Sequence, residues 1–426
     1  MNLGEVRRVV NSTIAIETID QRFKGFPVSA GVTIDTVAEQ RWNLFAGDFS
    51  LPVMILKRDA LDHNLERMAE YCENHGVLLA PHAKTTMSPQ LVLRQMEAGA
   101  WGITVASVSQ ARLFTAYGLR RVIIANEVVT PSDLQWISEA RRADPGLEIF
   151  VLVDSLAGVS IMDAALESSG NDLPPLTVLL ELGYAGGRAG CRNPEEAYAV
   201  AQAISDSDHL ALAGVEGFEG LIPGSTREEQ VTGVRSFLAR ITETIHGLQI
   251  RRLLPNDAIV TCGGSAFFDE VAKTFVEDWP GKSLTVVLRS GCYVTHDHGL
   301  YAESSPLRSG DRPLIAALEV WATVLSRPDD TLAILGCGRR DVPYDAGLPT
   351  VISVLRDGTH RSAAGMGITA LNDHHAFVTV EDGVDLRVGD LVALGISHPC
   401  TAFDKWPLIP VVDADYNVVD AVKTYF

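Results

Sequence analysis

At 426 residues the chain exceeds what one hydrophobic core usually supports, so two domains, or one large barrel with a companion, are expected. Its 46% hydrophobic and 21% charged residues are ordinary for a globular enzyme, and no run of about eighteen apolar residues is present to span a bilayer. The 35 basic against 54 acidic side chains leave a net charge of −19, which repels phosphate backbones and anionic headgroups and argues against nucleic-acid and membrane partners.

Met1 to Thr18 carries Glu5, Arg7, Arg8 and Glu17 and lacks the continuous apolar stretch of a secretory signal, so a cytoplasmic protein is expected. The six cysteines are scattered and form no CxxC pair, which fits reduced thiols better than a disulfide framework. Val53 to Leu56 reads as a strand that either precedes a barrel or joins a later β-domain. From Asp59 to His75 the apolar residues Leu61, Leu65, Met68, Ala69 and Cys72 follow helical spacing, and Gly76 is placed to end the helix. A strand at Val77 to Pro81 follows. Ser88-Pro89 then supplies an N-cap with proline at the first helical position, and Gly102 to Ala106 reads as the next strand.

The alternation continues with apolar runs at Val122 to Ala125, Ile149 to Asp154, Leu176 to Leu182, Leu212 to Phe218, Ala258 to Thr261 and Leu284 to Leu288. That makes eight strand candidates from Val77 on, each separated by enough chain for a helical crossover, and the expected fold is α/β, a (β/α)8 barrel, with an open doubly wound sheet as the runner-up. Beyond Pro306 the pattern changes. Leu314 to Leu325, Thr331 to Leu335, Thr350 to Leu355 and Asp390 to Ile396 are divided by Asp329-Asp330, Asp357-Gly358 and Asp382-Gly383 with no helix between, which reads as a C-terminal all-β domain. The expected division is a barrel over 51–305 and a β-domain over 306–426, the latter joined by part of 1–50.

The chemistry-bearing residues sit at strand ends. In Pro81-His82-Ala83-Lys84-Thr85-Thr86 a lysine follows the first barrel strand, where barrel enzymes keep their active groups, although a lone lysine there is more often an ion-pair partner. Thr261-Cys262-Gly263-Gly264-Ser265 follows the seventh strand. Its two glycines let backbone N–H groups approach an anion, and Ser265 is placed to cap the next helix and meet a phosphate oxygen. Such a lysine and such a cradle are what pyridoxal phosphate needs for its aldehyde and its phosphate. Far downstream, His398-Pro399-Cys400 puts an imidazole and a thiol two residues apart, on one face of an extended segment. Gly336-Cys337-Gly338 looks like the start of a dinucleotide fingerprint, but Asp341 stands where its third glycine belongs, and a β-turn is expected. His296-Asp297-His298 and His374-His375 rank below His398 and Cys400 as metal ligands, with Asp373 and His374 as candidates to support that pair.

Pro81-His82-Ala83-Lys84-Thr85, the Gly183-to-Gly190 stretch with Gly187-Arg188, Cys262-Gly263-Gly264-Ser265, Arg289-Ser290-Gly291-Cys292-Tyr293 and His398-Pro399-Cys400 occur in an order that resembles the D-serine dehydratase and D-threonine aldolase-like family of fold-type III pyridoxal-phosphate enzymes. The resemblance runs from about Leu51 to the C-terminus. It implies an alanine-racemase-like barrel with a β-domain, a homodimer, pyridoxal 5'-phosphate on Lys84, and a zinc-type ion on His398 and Cys400. A thiolate ligand favours zinc over magnesium or calcium. The resemblance further implies Arg188 near O3' of the cofactor, with Gly263, Gly264, Ser265 and Tyr293 at its phosphate. Many relatives carry a tyrosine after the sixth strand that meets the pyridine nitrogen; this chain has Phe218, followed by Glu219, which either approaches that nitrogen or turns away. The aldolase branch tends to have a histidine just past this point as a base for the β-hydroxyl, and none stands here.

The expected activity is a lyase that dehydrates and deaminates a small D-β-hydroxy amino acid such as D-serine to a keto acid and ammonia. In that scheme the Lys84 amine takes the α-proton, while the metal acts as a Lewis acid on a poor leaving group. A D-threonine aldolase-type cleavage to glycine and an aldehyde is the alternative. A racemase, which needs a second acid/base across the ring and no metal, fits less well. A non-catalytic pyridoxal-phosphate-binding protein would leave the β-domain and the His398/Cys400 pair without a purpose.

Overall fold

Eight short apolar runs, each followed by a crossover, build one parallel sheet in chain order. The computed structural model describes residues 3–28, 31–170, 173–277 and 284–426. Its barrel strands are β1 (Leu78–Leu79), β2 (Ile103–Val105), β3 (Arg121–Glu127), β4 (Glu148–Val153), β5 (Leu176–Leu182), β6 (Leu210–Gly217), β7 (Ile259–Cys262) and β8 (Thr285–Leu288). Consecutive strands from β2 to β8 pair in parallel, and β8 pairs in parallel with β1 through Val287 to Leu78 and Leu288 to Leu79. The two end strands then meet. Trp101 N–H donates to Leu79 O at 2.8 Å, Thr104 N–H donates to Pro81 O at 3.0 Å, and His82 and Thr104 form a parallel bridge. The expected barrel is present, and the runner-up open sheet is excluded.

Helix starts are written in the local sequence. Ser107, Ser155, Asn193 and Thr226 each accept a hydrogen bond from a first-turn N–H, and Pro131 and Pro194 occupy first helical positions. Inside the barrel, Ala80, Ile123, Phe150, Leu152, Leu179, Ile259 and Val287 form an apolar plug, with Trp101, Ala125 and Ala213 packed against it. Because strand side chains alternate, groups two residues further along an inward-facing row stand above this plug at the C-terminal end.

The second sheet has ten strands and is antiparallel apart from one parallel pairing, Leu56 with Val411. Its main path runs Thr359–Arg361, Thr350–Arg356, Leu391–Gly395, Leu318–Asp329, Val53–Lys57, Leu408–Val412 and Val418–Lys423. Val53–Lys57 therefore joins the β-sheet, with Val53 opposite Trp321. Asp357 and Gly358, at φ 51° and 72°, make the tight turn between paired Arg356 and Thr359, a geometry that matches the twist of the flanking strands. The early residues pack into the same body: Phe26, Trp42 and Phe49 meet edge-on, and Phe45 lies 4.8 Å from the Trp321 ring and 4.6 Å from the Tyr416 ring.

Two compact units result. One comprises Ala69–Lys84 and Met96–Gly291 and holds the barrel; the other comprises Gly4–Met68, Thr85–Gln95 and Cys292–Phe426. Gly336-Cys337-Gly338 is followed by no helix: it bends irregularly out of its strand, and the turn comes one step later, where Gly338 O accepts the Asp341 N–H at 2.8 Å. Asp341 Oδ2 accepts the Gly338 N–H at 3.0 Å, and a Cβ at Gly338 would collide with Asn372 O at 2.2 Å. No helix among the described residues is long and apolar enough to cross a membrane.

Candidate active site

The C-terminal end of the barrel concentrates charge above the apolar plug. Glu181 lies two residues beyond Leu179 on β5, Glu216 is fully buried on β6, and Arg289 follows β8 with 6% exposure. Arg289 forms an ion pair with Glu216 and donates from Nη2 to Gly217 O at 2.9 Å. Glu216 shows why the arginine is there: burial pushes its carboxyl up, and the Arg289 charge works in the opposite direction. Among the described residues Glu181 makes no such ion pair. Burial, the adjacent Glu216 and a hydrogen bond with Glu127 together raise its pKa to about 10, against the opposing charge of Arg188, so it holds a proton at neutral pH.

Lys84 ends a single turn, Ala83–Thr85, directly after β1, and its side chain is exposed. The neighbouring His82 is kept neutral: burial lowers its pKa well below the ordinary value, and the charges of Lys84, Arg289 and Arg188 add to the effect. Arg188 lies in the loop after β5 with its guanidinium carbon 5.3 Å from the Phe218 ring centroid, and it lines a small cavity with Glu181, Tyr184 and Leu221. Lys84, Arg188 and Arg289 thus share one end of the barrel with the three acids Glu181, Glu216 and Glu219.

Gly263 and Gly264 turn their amides toward a carboxyl group of the chain itself. Gly263 has φ 85°, and a Cβ there would meet Leu288 at 2.6 Å. Their N–H groups donate to the Glu219 carboxylate, Gly264 to Oε1 at 2.7 Å and Gly263 to Oε2 at 3.2 Å. Glu219 is fully buried, and burial raises its pKa despite these bonds. Its orientation was open in the sequence, and it is this pair of amides that it faces. Ser265 is half-buried but does not cap the following helix: Phe267 precedes Phe268–Ala272 with no side-chain cap. The turn ends two residues after Ser265, too late for its hydroxyl to reach the first helical N–H groups.

In the second unit, Cys292, His398 and Cys400 bring three donor atoms within 4.8 Å of one another, the one such group of three or more among the described residues. Cys292 Sγ and Cys400 Sγ are 3.5 Å apart, and Cys400 Sγ is 3.4 Å from the Thr85 hydroxyl. His398 Nδ1 is 2.7 Å from Asp345 Oδ2, and the Thr401 hydroxyl holds the other Asp345 oxygen at 2.5 Å. A carboxylate on Nδ1 orients the ring and makes Nε2 the nitrogen available to a cation. Burial disfavours charge on His398, yet hydrogen bonds to Cys400 and Asp345 outweigh it and raise its pKa to about 9. Cys400 is correspondingly lowered, first by the Cys292 hydrogen bond, while that same bond and burial raise Cys292.

The donors suit a borderline-soft divalent cation. Two thiolates at about 2.3 Å from a tetrahedral zinc stand about 3.8 Å apart, close to the separation found. Sequence reasoning reached His398 and Cys400 but passed over Cys292, whose available signal was its place just after the last barrel strand; Tyr293 drew the attention instead. Asp345 was missed in favour of Asp373 and His374. Those two face Arg340 at 3.5 Å and Asp341 at 4.0 Å, respectively, and are exposed. Tyr293 is buried, and its hydroxyl accepts from Gln95 at 3.1 Å. In His296-Asp297-His298, burial lowers His296 to about 4, and Asp297 accepts N–H bonds from Gly299, Tyr301 and Ala302, a local structural role.

A parallel barrel with lysine, arginine and paired acids at its C-terminal end, and an antiparallel sheet drawn from both chain ends, is the architecture of alanine-racemase-like proteins. The alanine racemase N-terminal domain model matches residues 56–274, and the putative serine dehydratase domain model matches residues 317–412. A D-threonine aldolase from an Arthrobacter species is 30% identical over 358 residues, 83% of this chain and 86% of that protein. Among solved structures, D-threonine aldolase from Filomicrobium marinum superposes with a TM-score of 0.74 at 24% identity, over 88% of this chain and 95% of that one. D-threo-3-hydroxyaspartate dehydratase from Delftia sp. HT23 gives 0.69 at 22% identity over 88% and 97%. The chain belongs to the D-threonine aldolase and D-serine dehydratase-like family of fold-type III pyridoxal-phosphate proteins.

Proposed function

We propose that this protein is a pyridoxal-phosphate- and metal-dependent lyase of a D-β-hydroxy amino acid, acting as a dehydratase that forms a keto acid and ammonia from a D-serine-like substrate. The observation that carries the metal-assisted reading is the His398–Cys400 pair, with its imidazole already aimed by Asp345. A divalent cation held there supplies a Lewis acid for a hydroxyl oxygen. Pyridoxal phosphate, when bound, supplies an aldehyde for amines and a ring that accepts negative charge.

The chain's own residues divide the remaining work. Lys84 is the proposed attachment point and the base whose Nζ takes the α-proton. Arg188 lies at the barrel mouth with Phe218 beneath its guanidinium, which supports its assignment beside a flat ring. Gly263 and Gly264 are proposed on the phosphate side of the cofactor; their amides turn inward and donate to the Glu219 carboxyl. Ser265 and Tyr293 are the hydroxyls proposed to complete phosphate binding. Glu181, protonated, adds no negative charge to the barrel end at neutral pH.

Support for elimination comes from the segment after β6. By resemblance the aldolase branch tends to have a histidine just past Phe218-Glu219 as a base for the β-hydroxyl; this chain continues Gly220-Leu221-Ile222 and has no imidazole there. The second reading, retro-aldol cleavage to glycine and an aldehyde, is favoured by the D-threonine aldolase that is 30% identical over most of its length. Incubation with D-serine, D-threonine and 3-hydroxy-D-aspartate decides between them. Keto acid and ammonia are the expected products; glycine and an aldehyde from every substrate turned over would replace the dehydratase reading with the aldolase one.

A further inference from the structure

We propose that Cys292 is a third protein ligand of the cation site, so that two thiolates and one imidazole hold a thiophilic divalent cation and leave one position open. This rests on the reading that His398 and Cys400 hold a cation, and goes beyond it in the number of ligands and in the class of metal accepted. The sequence motif supplies one sulfur and one nitrogen. The second sulfur comes from the short turn Cys292–Val294.

The geometry carries the case. All three donor atoms lie within 4.8 Å, and the two sulfurs are 3.5 Å apart, so a cation that binds one sulfur at about 2.3 Å in tetrahedral geometry reaches the other with a shift of a few tenths of an ångström. Both sulfurs also meet one hydroxyl: Cys400 Sγ donates to Thr85 Oγ1 at 3.4 Å, and Cys292 Sγ is 3.8 Å from the same oxygen. On the third donor, Asp345 orients the His398 ring. Cys292 is 4% exposed, so water does not compete for this position.

Two consequences follow from a second thiolate. Both negative charges are needed to cancel a dication, so the loaded site is neutral rather than singly positive. Preference also shifts toward zinc, cobalt and cadmium, and away from magnesium, manganese and calcium, which favour oxygen donors.

X-ray absorption at the zinc edge of the zinc-loaded wild-type protein counts sulfur neighbours without any substitution. Two sulfurs are expected; one sulfur would overturn the role of Cys292 while leaving the His398/Cys400 reading intact, and failure to bind zinc in equilibrium dialysis would overturn both. Cobalt loading gives a second readout through its sulfur-to-cobalt charge-transfer band. In Cys292→Ser that band is expected to fall to about half its wild-type intensity per cobalt, with zinc affinity weakened at least about tenfold. An unchanged band and affinity in a variant with wild-type circular dichroism would refute the proposal.

Discussion

The barrel end and the thiol–imidazole cluster handle buried ionisable groups in opposite ways. At the barrel end, acids outnumber what Arg289 can neutralise, and the surplus is absorbed by protonation of Glu181. In the cluster the neighbours push one another apart, with His398 and Cys292 raised and Cys400 lowered, beside a ring that Asp345 orients. The barrel end thus settles its own charge, whereas the cluster holds soft donors arranged for a cation from outside. Acids and arginines make a charged wall; sulfur and nitrogen make a ligand set.

Four measurements break or sharpen that contrast. Lys84→Ala is expected to cost at least about a hundredfold in turnover, the low end for loss of a general base, and to abolish the visible absorbance of covalently held cofactor; a variant that kept both would remove Lys84 from the scheme. Arg289→Met leaves Glu216 buried without its counter-charge and should lower unfolding free energy by about 3–5 kcal/mol in urea titration. Adding Glu216→Gln should recover part of that loss, and no recovery would mean that Arg289 acts through packing rather than charge.

Asp345→Asn removes the carboxylate from His398 Nδ1 and should weaken zinc binding about 10- to 100-fold in competition with a chromophoric chelator. The fourth measurement concerns the pH dependence that Glu181 sets. Its pKa is raised in the folded protein from 4.5 to about 10, so between those values the folded state holds a proton that the unfolded state has lost, and stability falls as pH rises through that window. Glu181→Gln should flatten this decline by up to about 1.4 kcal/mol per pH unit, and an unaltered pH profile would show that Glu181 is ionised in the folded state.

Much of the barrel was legible because each strand and helix carries its own signals. Gly76, Pro89 and the alternating apolar runs act within a few residues of where they stand, so all eight strands were found in order; Ser88 precedes its helix as expected, but its buried hydroxyl makes no capping bond. Val53–Lys57 was harder, since an apolar run says nothing about which sheet receives it; pairing with Trp321 and its neighbours decided that. Ser265 failed as a cap because the turn after β7 is longer than the Gly-Gly-Ser spacing implies. Glu219 could face either way by alternation, and two backbone amides from the neighbouring strand's loop took it. Cys292 and Asp345 were missed for one reason: neither lies within fifty residues of His398 in the chain, so no local spacing links them.

By itself the sequence determined the order and type of the barrel elements, the β-character of the C-terminal part, and the residue types from which a cofactor and metal site could be built. Those depend on periodicity, caps and turn residues, which act over one or two turns of chain. Tertiary structure decided the partners: Arg289 with Glu216, Glu219 with the Gly263 and Gly264 amides, Cys292 with Cys400, and Asp345 with His398. Each pair is made by residues on different elements, where distance, burial and charge are set only once the chain has closed.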